Sequence, residues 1–273
     1  LPIKLPVKLP VKLVDKPWGM DVLPAPFAAA PGRRVGEIWF EPPPALPSIL
    51  VKYIFTSEKL SVQVHPNDAE ARAAGGHTTG KDECWVVIHA EPGATLGVGF
   101  DTPIDHAAMR AAALDGSIEQ MMTWHPVQVG DFFYIPAGTV HAIGAGIGVI
   151  EIQQNADVTY RLYDYGRGRE LHLDVGIAVA QGDPYDPALH RHIPAAGTVE
   201  LANGPYFQAH RLDGAPDAAL RARYAGPVLV LPRVGTVTIG DTVVHPGECA
   251  ETQGLDAPVF ADDGQAIVVR AKV

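Results

Sequence analysis

The stretch Leu60 to Pro66 alternates apolar and polar residues. On a strand, Ser61, Gln63 and His65 share one face, and Leu60, Val62 and Val64 pack on the other. Gln63 offers an amide oxygen and His65 an imidazole nitrogen, both metal-ligand types; a wet face of an antiparallel strand fits the same pattern. In Gly80-Lys81-Asp82-Glu83-Cys84-Trp85, Lys81 and Glu83 share a face and Asp82 and Cys84 take the other. Glu83 would supply an anionic ligand with the cation of Lys81 beside it. The plain alternative is a surface Lys/Glu pair, worth a few tenths of a kcal/mol. A third segment, Gly130 to His141, runs as a strand into a Pro136-Ala137-Gly138 turn and delivers His141. Pro136 fixes the turn, and Gly130 and Gly138 permit its tight geometry. A neutral imidazole there can bind a metal, though a Pro-Gly hairpin with an incidental histidine has the same spacing. The fourth segment, Val149 to Arg167, crowds Glu151, Gln153, Asp157, Tyr160, Arg161 and Asp164 into and just after a strand-like run. It reads as a pocket edge or as a wet loop.

The elements that must hold these groups are short and β-rich. Runs rich in Val, Ile, Phe and Tyr, bounded by Gly, Pro, Asn or Asp, predict strands over Gly36–Phe40, Ser48–Phe55, Lys59–His65, Glu83–His89, Phe132–Ile135 and Gly148–Gln153. A helix is predicted at about 68–74 with Asn67 as its cap. A second spans about 104–114, with Thr102 as the candidate cap and Gly116 as the stop. A Gly/Pro/His-rich stretch, 182–197, reads as a linker. Strands then resume over Val228–Leu231, Gly235–Ile239, Thr242–Val244, Val259–Phe260 and Ala266–Val269. The spans Gly235–Gly247 and Gly130–Gly138 share a strand–turn–strand pattern, which reads as a duplicated barrel with a degenerate second copy.

Composition supports this frame. The chain has 273 residues, 47% apolar and 19% charged, with 28 glycines and 25 prolines spread along it, as an all-β protein with many turns requires. The net charge of −10 argues against a nucleic-acid partner. It leaves room for one small phosphorylated ligand, because local Lys or Arg outweigh charge beyond a Debye length of about 8 Å. Cys84 and Cys249 form no framework or CxxC pair and are expected as buried free thiols in a reducing cytosol. No stretch reaches the roughly 18 apolar residues of a membrane span. Residues 1–14, with proline at every fourth position at first, are expected as an extended tail or a short edge strand, not a signal peptide.

The Gly130–His141 spacing matches the second cupin motif, G-x5-P-x-G-x2-H. Together with Lys16-Pro17-Trp18-Gly19, Leu60–Pro66, Gly80–Trp85 and Glu151–Gly166, it resembles the short bacterial form of the type I phosphomannose isomerases. The resemblance covers most of residues 15–175 and implies an all-β cupin (double-stranded β-helix, jelly-roll) barrel with a second, degenerate cupin-like β domain and a few short helices. The implied division is a tail over 1–14, a catalytic metal-binding domain over 15–181, a linker over 182–197 and the degenerate domain over 198–273. The implied activity is a metal-dependent aldose–ketose isomerisation of mannose 6-phosphate and fructose 6-phosphate. By matching position, one zinc ion per chain (Mn or Co also suit the oxygen-rich set) would be held by Gln63, His65, Glu83 and His141. Arg161, Glu151, Lys81 and Asp157 match catalytic-pocket residues. Ser61 and Lys52 match positions linked to phosphate contact, and Trp18 would wall the entrance. Glu151 could act as base if burial raises its pKa toward neutral. A cytoplasmic monomer or homodimer without nucleic-acid or membrane partners is expected. The cupin motif's later Asn is Ala145 here. Pro246-Gly247-Glu248 lacks a following histidine, so the second copy is expected to carry no metal. Rival readings are an iron dioxygenase, disfavoured by Gln63 where such sites usually begin His-x-His, a non-catalytic sugar-binding cupin, and an isomerase of another phosphosugar.

Overall fold

The structure, a computed structural model, describes residues 7–272. Residues 1–6 of the expected tail lie outside the described residues. The ladders between its named strands are all antiparallel. They form sheets of seven, five, six and three strands.

The seven-stranded sheet carries, in spatial order, His190–His192, Asp131–Ile135, Glu83–Ala90, Ile147–Gln154, Ile49–Thr56, Val35–Phe40 and Val11–Met20. Its central strands are buried on both faces, so period-2 alternation sends their side chains into two different cores. Cys84, Val86, Ile150, Ile152, Val51 and Tyr53 pack with Phe207, Leu229 and Ile267 of the six-stranded sheet. The opposite parity, Trp85, Val87, Val149 and Ile54, packs with Leu96, Val98 and Ile143 of the five-stranded sheet. That second face is the barrel interior, and Glu83, Glu151 and Lys52 share its parity.

The five-stranded sheet orders Tyr160–Tyr163, Val62–Val64, His141–Ile143, Thr95–Phe100 and Met122–Pro126. Its outer face is covered by helices His106–Asp115 and Leu173–Val179 through Met109, Ala112, Ala113 and Ile177. A separate apolar core fills the C-terminal unit between the six- and three-stranded sheets, around Tyr224, Val230, Val237 and Phe260.

Local chemistry explains the boundaries. Helix Asp68–Ala74 begins as the sequence predicts, at an Asn67 capping box closed by the Glu70 carboxylate. The second helix begins at His106, not 104. Asp105 caps it by accepting from the Ala108 N–H, whereas the Ile104 N–H donates to the Gly182 carbonyl, which commits that residue to the loop. Thr102 therefore is not the cap. Gly116 ends the helix in the left-handed region at φ +85°, as a stop should.

Part of the 1–14 stretch takes the second of its two expected forms, an edge strand, and part of the 182–197 stretch expected as a linker lies in a sheet. Val7–Lys8 pairs with Ala250–Gln253, and Val11–Met20 edges the seven-stranded sheet. Within 182–197, His190–His192 pairs with Asp131–Ile135. Both supply edge strands, whose single ladder demands little of the sequence, so the turn-rich composition of 182–197 concealed the second.

Candidate active site

Cross-strand register builds the site. On the five-stranded sheet, Gln63 is opposite His141 on one side and Arg161 on the other. On the seven-stranded sheet, Trp85, Glu151, Lys52 and Trp39 form one row, with Glu83 beside Gln153. The two rows face each other across the barrel. Gly138, at φ +86°, makes the turn that presents His141, and its N–H donates to the His65 carbonyl at 2.8 Å. A side chain there would be strained by the backbone angle alone.

His65, Glu83 and His141 converge, their ligand atoms all within 4.8 Å of one another. His65 Nε2 lies 3.6 Å and His141 Nε2 3.5 Å from the Glu83 carboxylate. His65 Nδ1–H donates to the Val158 carbonyl and His141 Nδ1–H to the Thr139 carbonyl, at 2.7 and 2.9 Å. A carbonyl only accepts, so each Nδ1 carries the proton and each Nε2 turns a lone pair toward Glu83. Burial, with Lys81 nearby, holds His65 neutral well below its usual range; burial pushes His141 down to about 4. Glu83 is fully buried, and the Lys81 ammonium lies 2.6 Å from its carboxylate. Burial and the neighbouring Glu151 carboxylate raise its pKa to about 7, against the pull of Lys81. Two neutral imidazole nitrogens beside a buried carboxylate, with the Lys81 ammonium 2.6 Å from that carboxylate, form a donor set suited to a cation.

Gln63 stands beside them. As placed, its Nε2 lies 3.2 Å from His141 Nε2 and its Oε1 accepts from Ser61 Oγ at 3.2 Å. A half-turn of the amide would exchange the two ends. The polar face of this strand is not wet: Ser61 and His65 are buried and Gln63 is half-buried. The Lys81–Glu83 pair is no surface pair either; its side chains are 6% and 0% exposed at 2.6 Å.

Above this floor opens a cavity of about 220 Å³. Trp18, Lys52, Ser61, Lys81, Glu151, Asp157 and Arg161, the seven residues put forward for catalysis or substrate contact, all line it together with Gln63. Sequence reasoning missed Lys16, Glu37 and Arg169, which line it too. Lys16 was within reach, because it heads the Lys16–Gly19 stretch. Glu37 and Arg169 had no spacing signal.

Lys16 and Glu37 complete an alternating chain of charge. Lys16 contacts Glu37 at 3.0 Å, Glu37 contacts Lys52 at 3.8 Å, and Lys52 contacts Glu151 at 2.9 Å. Glu151 then contacts Lys81 at 3.5 Å, and Lys81 reaches Glu83. This corrects one expectation. Burial alone would raise the Glu151 pKa, but Lys52, Lys81 and the Trp85 indole N–H outweigh it and hold the carboxyl down at about 2. The condition for Glu151 as base is not met. Lys52 pairs with two carboxylates and Ser61 Oγ donates to Gln63 Oε1, and both side chains line the cavity. Asp157 differs: it is exposed at the cavity rim and has no ion pair among the described residues. Across the mouth, Arg169 is clamped by Asp164. Arg161 donates to the Glu170 carbonyl, its Nε unpartnered.

No family model matches the chain. It is 37% identical over 203 residues to "Mannose-6-phosphate isomerase" of Streptococcus mutans serotype c, an alignment covering 70% of this chain and 63% of that protein. It is 37% identical over 183 residues to "Mannose-6-phosphate isomerase ManA" of Bacillus subtilis, covering 63% of this chain and 58% of the relative. The matched region thus spans less than two thirds of either relative. Among solved structures, the mannose 6-phosphate isomerase from Bacillus subtilis superposes with a TM-score of 0.77 at 22% identity, over 98% of this chain and 100% of that one. The apo form of the enzyme from Salmonella typhimurium gives 0.72 at 15% identity, over 99% and 100%. The cupin-type fold of these proteins is therefore the fold of this chain.

Proposed function

Taking as its premise that this chain is a homologue of the mannose-6-phosphate isomerases and shares their fold, we propose that it interconverts mannose 6-phosphate and fructose 6-phosphate. The observation that carries the reading is the His65–Glu83–His141 group, joined through Gln63 and Lys81 to a cavity lined by lysines and arginines.

Gln63, His65, Glu83 and His141 would hold one divalent ion, zinc by the balance of two nitrogens and two oxygens. Bound there, it would supply Lewis-acid stabilisation of negative charge on the sugar oxygens. The remaining roles fall to side chains. Isomerisation moves a proton between C2 and C1 through a cis-enediol. Asp157, unpaired and at the rim, is the carboxylate free to take that proton from one carbon and return it to the other. Lys81, whose ammonium lies 3.1 Å from His65 Nε2, is placed to donate to the oxygen on which charge develops. Glu151 pairs with the Lys81 ammonium at 3.5 Å and aims it, a positioning task suited to its low pKa. Arg161 and Arg169 at the mouth suit the phosphate dianion, because planar guanidinium forks match its oxygens. Trp18 walls the same cavity, packed with Ile54 and Leu60.

The test is the metal-loaded chain with mannose 6-phosphate and, separately, with unphosphorylated mannose. Fructose 6-phosphate should form from the first, with much slower turnover of the second. No ketose phosphate from the first would end the reading. Arg161→Ala should leave metal content intact and cost at least about tenfold in kcat/KM, as loss of a contact to the charged substrate does. Metal analysis and steady-state kinetics on one preparation check both halves, and loss of metal would mean that Arg161 supports the floor.

A further inference from the structure

A second cavity, about 240 Å³, lies between the seven-stranded and six-stranded sheets, away from the site above. Its walls are largely apolar, with Val86 from one sheet and Leu201 and Ile267 from the other. Four polar side chains reach it, and three are already engaged. His192 Nδ1 contacts the Asp131 carboxylate at 2.8 Å. Arg211 donates to the Pro194 and Gly197 carbonyls and lies 3.2 Å from Asp213. Gln265 Nε2 donates to the Ala195 carbonyl. The fourth, Arg233, has no hydrogen-bond acceptor and no carboxylate partner among the described residues; Tyr53 is its one polar neighbour of note. Burial pushes the Arg233 guanidinium pKa down.

Arg233 is half-exposed, and a guanidinium without a carboxylate partner at the wall of an apolar cleft gains a charge-assisted contact when an anion joins it. The apolar walls set the rest of the ligand. We propose that this inter-sheet cavity binds a small organic carboxylate, its charged end on Arg233 and its short hydrocarbon body between Val86, Leu201 and Ile267. The ligand would bridge the two sheets, so binding should stabilise the folded chain. This site does not rest on the isomerase reading and stands or falls separately from it.

The test is thermal unfolding and calorimetric titration of the full chain with hexanoate and, in parallel, inorganic phosphate. Hexanoate should bind saturably and raise the unfolding midpoint, with phosphate at least about tenfold weaker because it forgoes the apolar walls. Arg233→Met should weaken hexanoate by about tenfold or more, and Arg233→Lys should restore part of the loss. Val129→Trp, at an exposed rim position of the cavity, narrows it without touching the core and should also weaken hexanoate. Arg161→Ala should leave the hexanoate response in place. An undiminished response in Arg233→Met, equal affinity for phosphate, no saturable binding, or loss of the response in Arg161→Ala would each overturn the proposal.

Discussion

Replacing Glu83 with glutamine is expected to empty the metal site and lower turnover on the order of a thousandfold or more. The residue is fully buried, and the Nε2 atoms of two imidazoles protonated at Nδ1 lie 3.5 and 3.6 Å from its carboxylate. It is the only anion among the four candidate ligands. Glutamine keeps the shape but removes the charge that makes a divalent cation preferable to a water there. The substitution also leaves the Lys81 ammonium with Glu151 alone. Elemental analysis of the purified variant should find well under one metal ion per chain. A variant retaining stoichiometric metal and near-normal turnover would show that the histidines and Gln63 suffice and that Glu83 is structural.

Lys52→Met should be the most destabilising single change in the site, at about 3–5 kcal/mol. Lys52 is buried between Glu151 and Glu37, and methionine fills its volume while leaving both carboxylates short of a partner. For a chain of this length, about 2–4 °C per kcal/mol makes this a fall in melting temperature of roughly 10 °C. The loss should depend on pH. In the native chain the Glu151 carboxyl is held at about 2, below its unfolded value. On acidification the unfolded chain therefore takes up the proton first. The stabilisation is complete above the unfolded pKa of about 4.3 and is lost as pH falls through the folded value. Without Lys52, Glu151 and Glu37 gain protons at higher pH, which relieves their burial. The gap between native and variant should thus be widest near neutrality and shrink toward pH 4. Denaturant unfolding across that range checks it, and a gap independent of pH would reduce Lys52 to a packing role.

What the sequence shows here depends on how local the physics is. Strand alternation places Gln63 with His65 and Lys81 with Glu83, because period 2 is a property of the backbone. The Pro136–Gly138 turn announces His141 for the same reason. The Asn67 cap needs only its own next three residues. The charge on Glu151 is another matter. Its surroundings come from Lys52 and Lys81 on two other strands, so burial alone suggested a raised pKa and the fold delivers a lowered one. Asp157 is set apart by having no ion pair among the described residues, which no spacing reveals. Arg169 enters the cavity through a loop that folds back on Asp164. The strand His190–His192 was hidden because an edge strand with one ladder tolerates the glycines, prolines and histidines of a linker.

The account stands on Gln63, His65, Glu83 and His141 holding one cation that the proton transfer requires. Its most direct measurement is a titration of divalent metal into chelator-stripped protein, with bound metal and conversion of mannose 6-phosphate read on the same samples. Turnover should be absent at zero metal, rise in proportion to bound zinc, and level off at one ion per chain. Full conversion of the sugar by metal-free protein would contradict it.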